Sequence, residues 1–204
     1  MDTLLVAIIV AFALNALRRR QERARIALLA HYLAPFEIEK LMAALNEGYV
    51  RALGETDAQR QQQVWDHLRA RELALGEQFE RFALRLASAD ARRTRVSRLP
   101  WPLSWAQPLF PAASFDLRKA IAIHAHGIAR AVRADPAVPA KRRAYTLSAE
   151  MFLMQHTCHW FCKSRAVATA RLWVRHQTRY EQLFDAVTPE TARAYRALLG
   201  LRQP

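Results

Sequence analysis

Leu4 to Leu17 reads LLVAIIVAFALNAL, fourteen residues without a charge and with Asn15 as the single strongly polar position. The run is apolar on every side, so it has no polar face to turn to water, as a packed surface helix would. Arg18, Arg19, Arg20, Arg23 and Arg25 follow at once. A helix of this length reaches roughly 21 Å at ~1.5 Å per residue, against a hydrocarbon core of ~30 Å. Met1 to Thr3 and snorkelling arginine stems close part of the gap. A cleaved signal peptide would place its basic residues ahead of the run, and the small-residue triplet Ala11-Phe12-Ala13 falls inside it. The pattern predicts a single transmembrane helix. The arginines orient it with the N-terminus outside and residues 18–204 in the cytoplasm.

Beyond the run the spacing becomes helical and amphipathic. No proline or glycine occurs from Leu4 to Leu33, so the helix is expected to continue until Ala34-Pro35. A second helix is expected from Pro35, with Ile38, Leu41, Met42, Leu45, Tyr49 and Leu53 on its core face and a stop at Gly54. Thr56 or Asp57 can cap a third. Its stripe Val64, Leu68, Leu75, Phe79, Phe82 and Leu86 is heptad-like, and its Gln, Arg and Glu face should be solvated.

Residues 91–113 hold four prolines, Pro100, Pro102, Pro108 and Pro111, and are expected to be a non-helical connector. Ser114 reads as the next N-cap, opening a helix to about Ala134 along the seam Leu117, Ile121, His124, Ile128 and Val132. A long helical region from about Ala140 to Ala186 buries Leu147, Met151, Met154, Cys158, Phe161, Ala168 and Leu172, with a break expected near Gln177. Thr188-Pro189-Glu190 starts the last helix, and Gly200 closes it. The fold class is all-α: a membrane anchor with a basic juxtamembrane segment over 1–25, then a cytoplasmic bundle of five or six helices over 26–204. Only five glycines are present, and no repeat is evident, which excludes glycine-dependent nucleotide folds and solenoids.

Charge sharpens this picture. The net charge is +13, from 31 Lys plus Arg against 18 Asp plus Glu. Arginine dominates the basic set, a bias that GC-rich bacterial genomes also produce. Residues 1–36 carry +3, residues 37–90 carry −3 and residues 91–204 carry +13. Such a distribution suits an anionic partner: lipid headgroups or an acidic protein surface. Nucleic-acid binding would rest on charge alone, since no recognition motif accompanies Arg130, Arg133, Arg142, Arg143, Arg165, Arg171, Arg175 and Arg179, and it is not expected.

Two stretches carry candidate chemistry. In the connector, Arg92, Arg93, Arg95 and Arg98 precede Trp101 and Trp105. The favoured reading is an extended connector whose rings plug into the core. The alternatives are an interfacial loop, since headgroup regions select Trp beside Arg, or a partner-protein site. On the later helix, Cys158 and Cys162 stack one turn apart, with His159 beside them. With His124 as a fourth donor from a neighbouring helix they could hold zinc, copper(I) or haem. Plain packing is the favoured reading, because Met151, Met154 and Phe161 share the same stripe. No metal or cofactor is therefore assigned, and no catalytic carboxylate pair or nucleophile triad can be drawn. The expected function is a membrane-tethered interaction or scaffold module at the cytoplasmic face of a bacterial inner membrane, with Arg18, Arg19, Arg20, Arg95, Arg98, Trp101 and Trp105 as its lipid or partner surface. The alternative is a membrane-anchored metal- or haem-binding protein.

Overall fold

The computed structural model describes residues 2–98, 113–135 and 137–201. These form eight helices and one two-stranded sheet. The elements are α1 (Asp2–Leu33), α2 (Ile38–Gly54), α3 (Ala58–Ala87), β1 (Arg95–Ser97), β2 (Ser114–Asp116), α4 (Leu117–Val132), α5 (Ala140–Cys162), α6 (Arg165–His176), α7 (Tyr180–Ala186) and α8 (Pro189–Leu199). The all-α class therefore holds. Among the described residues no helix is long and apolar enough to cross a membrane. The reason is local to α1, whose uncharged stretch is closed by Arg18–Arg20 after fourteen residues.

The expected stripes are the core. Leu68, Leu75, Phe79, Phe82 and Leu86 of α3 are buried where α3 packs on α4, which buries Leu117, Ile121, Ile128 and Val132, and α4 in turn packs on α5, where Leu147, Met151 and Phe161 are buried. Tyr49 and Met42 of α2 close one side, and Tyr195 of α8 closes the other. Leu53 departs from its expected place. It is exposed, and Ala52 is buried instead.

Three boundaries differ from expectation, each for a visible reason. The second helix begins at Ile38 and not at Pro35, because Gln78 of α3 takes the Glu37 amide (2.7 Å) and Phe36 is turned onto Phe82. Ser114 is not a cap but a strand residue opposite Ser97. Asp116 caps α4 by accepting from the Arg118 amide, and it also accepts from the Thr94 hydroxyl and the Arg118 guanidinium. Pairing with β1 thus moves the start of the helix two residues along the chain. The expected break near Gln177 is present, with Gln177 in the left-handed region (φ 51°). A second break at Lys163-Ser164 was not expected; there the Ser164 hydroxyl accepts from the Val167 amide. The long helical region is thus α5, α6 and α7, and seven helices follow α1.

The heptad stripe of α3 skips from Leu68 to Leu75 because the intervening seam position is Glu72, which is 1% exposed. Its carboxylate accepts from the Tyr49 hydroxyl (2.9 Å), Arg69 (3.1 Å) and Arg143 (3.0 Å). This cross-tie joins α2, α3 and α5 and places a carboxylate within the buried seam of α3. On the other side, Gly127 of α4 lies directly under the Thr191 hydroxyl and the Glu150 carboxyl; a methyl group there would collide with both.

Removing the Glu72 carboxylate leaves the buried Arg143 and Tyr49 unpaired, a situation that costs about 3–5 kcal/mol for a buried ion pair. Glu72→Ala should lower urea-unfolding stability by that amount. Glu80→Ala, which breaks the exposed pair to Arg133 (2.8 Å), should cost less than about 1 kcal/mol. Equal losses would show that Glu72 is not a tie.

Candidate functional site

α1 has two halves with opposite surroundings. In the first, Leu4, Leu5, Val6, Ile8, Ile9, Val10, Phe12, Leu14 and Leu17 are all 48–75% exposed. A stretch apolar all round has no stripe by which a bundle could cover it. In the second, Leu28 and Leu29 are buried, and α1 packs on α3 and α5.

The joint between the halves is polar. The Glu22 carboxylate accepts from Lys163 (2.6 Å) and from Arg18 (3.0 Å). Burial alone would raise the Glu22 pKa, but these two cations outweigh it and hold the carboxyl below its usual range. Arg25 donates to the Phe161 carbonyl (3.1 Å) and to the Arg95 carbonyl (3.3 Å), with its guanidinium over the Phe161 ring. The end of α5, the strand β1 and α1 are thereby tied at one point, so the apolar half projects from the bundle in a fixed direction.

Around this joint lies a basic cleft of about 620 Å³. It is lined by Arg18, Arg19 and Arg23 of α1, Lys163, and Val167 and Arg171 of α6, with Glu22 as its carboxylate. The outer face of α6 continues it: Trp173 and Val174 are 47% and 74% exposed beside Arg171 and Arg175. Arg18, Arg19 and Arg20 are exposed on α1, with Arg18 paired to Glu22. Arg95 is exposed near the joint. Arg98 is instead spent internally, donating to the Leu198 carbonyl (2.8 Å) at the end of α8. Trp101 and Trp105 lie outside the described residues. Among the described residues Trp65 and Trp160 pack inside, and the Trp160 indole donates to the Ser97 carbonyl (2.9 Å). The basic residues once considered together for nucleic acid are dispersed. Arg143 is on Glu72, Arg130 on Glu190 and Arg133 on Glu80.

Cys158, His159 and Cys162 do share one face of α5, where they line a second cleft of about 530 Å³ between α1, α2, α3 and α6. His124 is not part of it. Its Nε2 meets the Thr157 hydroxyl (2.9 Å) on another face of α5, and its ring lies against Tyr195. Thr157 donates to the Leu153 carbonyl (3.0 Å) and meets the Tyr195 hydroxyl (2.6 Å). One hydroxyl has one proton, so with that proton on Leu153, His124 must donate through Nε2 and carry its lone pair on Nδ1. Burial pushes both thiols up, Cys162 to about 11. Cys158 is directed at the Met154 sulfur (3.7 Å). Among the described residues no group of three or more His, Cys, Asp and Glu could hold a metal ion.

Glu72, Thr157 and the clefts flanking α6 were not singled out from the sequence. The gap of seven in the α3 stripe was the available sign of Glu72, and the Ser164 cap was the sign of α6. No family model matches the chain, and neither a curated protein nor a solved structure matches it.

His124 and His156 are both buried, and burial lowers each pKa from the ordinary 6.5 to about 3. The unfolded chain therefore takes up protons first as pH falls. Their contribution is intact above about pH 6.5 and is lost towards pH 3, at up to ~1.4 kcal/mol per pH unit for each histidine. Glu150 acts in the opposite sense, since burial raises its pKa and favours the protonated folded form as pH falls. Urea titrations between pH 7 and 4 should show falling stability, and His124→Gln or His156→Gln should each flatten the slope. A slope unchanged by both would contradict buried neutral imidazoles.

Proposed function

We propose that the protein is a membrane-attached helical interaction module, held at the cytoplasmic face of a bacterial inner membrane by the first half of α1. The observation that carries this reading is the row of nine large apolar side chains from Leu4 to Leu17 that nothing among the described residues covers. Soluble monomers rarely leave contiguous apolar patches of this size in water. At ~1.5–3 kcal/mol for each large side chain fully buried, and with these roughly half exposed, immersion in lipid gains on the order of 10 kcal/mol.

Charge supports the same orientation. Arg18, Arg19, Arg20 and Arg23 form a collar at the end of the apolar run, and basic residues near an anionic surface contribute ~1 kcal/mol each. The positive-inside rule puts this collar, and the bundle that follows it, on the cytoplasmic side. The apolar half of α1 is about two-thirds as long as a ~30 Å hydrocarbon core is thick. The reading needs immersion from the arginine side, with local thinning where the amino terminus reaches the far headgroups. No constellation in the described residues suggests a reaction, so the bundle is read as a platform for anionic lipid or an acidic protein surface.

The full chain should float with vesicles of mixed neutral and anionic phospholipid and stay bound in alkaline carbonate. Ile9→Arg with Phe12→Arg should abolish flotation, since a basic residue costs ~2.5–3.5 kcal/mol at the centre of an inserted helix. Both side chains are exposed, at 58% and 75%, so thermal unfolding of the bundle should not move. Flotation of the double variant, or a wild-type chain that remains in solution, would overturn the reading.

A further inference from the structure

The cleft beneath α1 is lined mainly by apolar side chains, with Asn46, Gln155, His159 and His176 among them, and has a basic mouth. Its interior is built from Leu29 of α1, Met42 of α2, Phe79 and Phe82 of α3 and Cys158 of α5. Its rim carries Lys163, Arg171 and Arg175, with Glu39 as its carboxylate. At about 530 Å³ it falls within the roughly 300–1,000 Å³ of small-molecule sites. It shares Ile26, Lys163 and Arg171 with the basic cleft at the foot of the apolar half of α1. The two together form a path from where α1 leaves the bundle to the apolar interior.

The cations along that path are under-neutralised. Glu22 is occupied by Lys163 and Arg18, while Arg19, Arg23, Arg171 and Arg175 have no acidic partner among the described residues. Their field is felt locally: burial lowers the His159 pKa first, and Arg171, Arg175 and His176 lower it further. Arginines held near one another without carboxylates are suited to a phosphate, which they can grip through two N–H groups at once. An apolar slot that ends in such a mouth matches one chemistry, an acyl chain ending in an anionic phosphate.

We propose that this cleft binds the acyl chain of an anionic phospholipid, with its phosphate held by Arg171 and Arg175 at the mouth and Lys163 alongside. The lipid comes from the membrane in which α1 is immersed, so the source of the ligand rests on the preceding reading, while occupancy of the cleft can be measured separately. Bound lipid would extend the attachment made by α1 and would close the face between α1 and α6. Cys158 and Cys162 are the two cysteines of the chain and both line the slot, so an acyl chain there shields them.

The test uses the full chain in nanodiscs of neutral phosphatidylcholine, with the rate of cysteine alkylation by maleimide read by mass spectrometry. Adding long-chain lysophosphatidate should slow alkylation about tenfold at ten times its Kd, the factor by which the free site is depleted. Arg171→Gln with Arg175→Gln should remove that protection. Both side chains are exposed, so the melting temperature should hold. Protection by inorganic phosphate alone would mean a phosphate site without an acyl slot. Equal protection by lysophosphatidylcholine would mean a slot that does not select the headgroup. Either result, or no protection at all, overturns the proposal. A chain that enters the discs yet shows no protection leaves the anchor standing and removes the cleft. Protection by lysophosphatidate in a chain that fails to enter discs does the reverse.

Discussion

The structure turns on the continuity of α1. One helix of 32 residues serves two solvents, because its backbone hydrogen bonds are internal and indifferent to what surrounds them. Its second half is committed to the bundle by Leu28 and Leu29, by the Glu22–Lys163 pair and by the two carbonyls that Arg25 reaches. Its first half has no stripe and, among the described residues, no packing neighbour. With no proline or glycine between Leu4 and Leu33, no sequence-encoded hinge lets the apolar half fold back. Whatever medium covers Leu4–Leu17 therefore sets the position of the whole bundle.

The bundle is fit to hold such a position. Its core is apolar at the expected seams, but three polar ties fix how the helices meet. Glu72 joins α2, α3 and α5, while Thr157 joins α4, α5 and α8 through His124 and Tyr195. Glu150 accepts from the Thr188 amide and hydroxyl at the start of α8, close against Gly127 of α4. A buried polar group left without its partner costs ~1–3 kcal/mol, so each tie disfavours slipped arrangements of the helices.

Much of this was legible in the residues. The seams of α3, α4 and α5 follow from periodicity, and Asp57, Gln177, Thr188 and Gly200 mark real helix ends. The errors have one physical origin, which is that long-range partners override local chemistry. Ser114 looks like a cap until β1 pairs with it. Pro35 looks like a helix start until Gln78 takes the Glu37 amide. Helical geometry puts Cys158, His159 and Cys162 on one face and His124 on the buried seam of α4, but which face of α5 His124 meets is a tertiary fact, and it meets Thr157. Arg98 illustrates the same limit: its exposed-looking sequence context conceals a bond to the Leu198 carbonyl, a hundred residues away.

The depth of one residue decides the matter. A spin label at Phe12→Cys, in a chain with Cys158 and Cys162 replaced by Ala, can be compared with one at Ile26→Cys in bilayers containing anionic lipid. Phe12 stands in the middle of the uncovered stretch, and Ile26 is beyond the arginine collar. The expected result is a Phe12 label relaxed by dissolved oxygen and shielded from an aqueous nickel chelate, with the opposite ratio at Ile26. A Phe12 label as open to nickel as the one at Ile26, or shielded from both reagents by protein, would contradict immersion of α1.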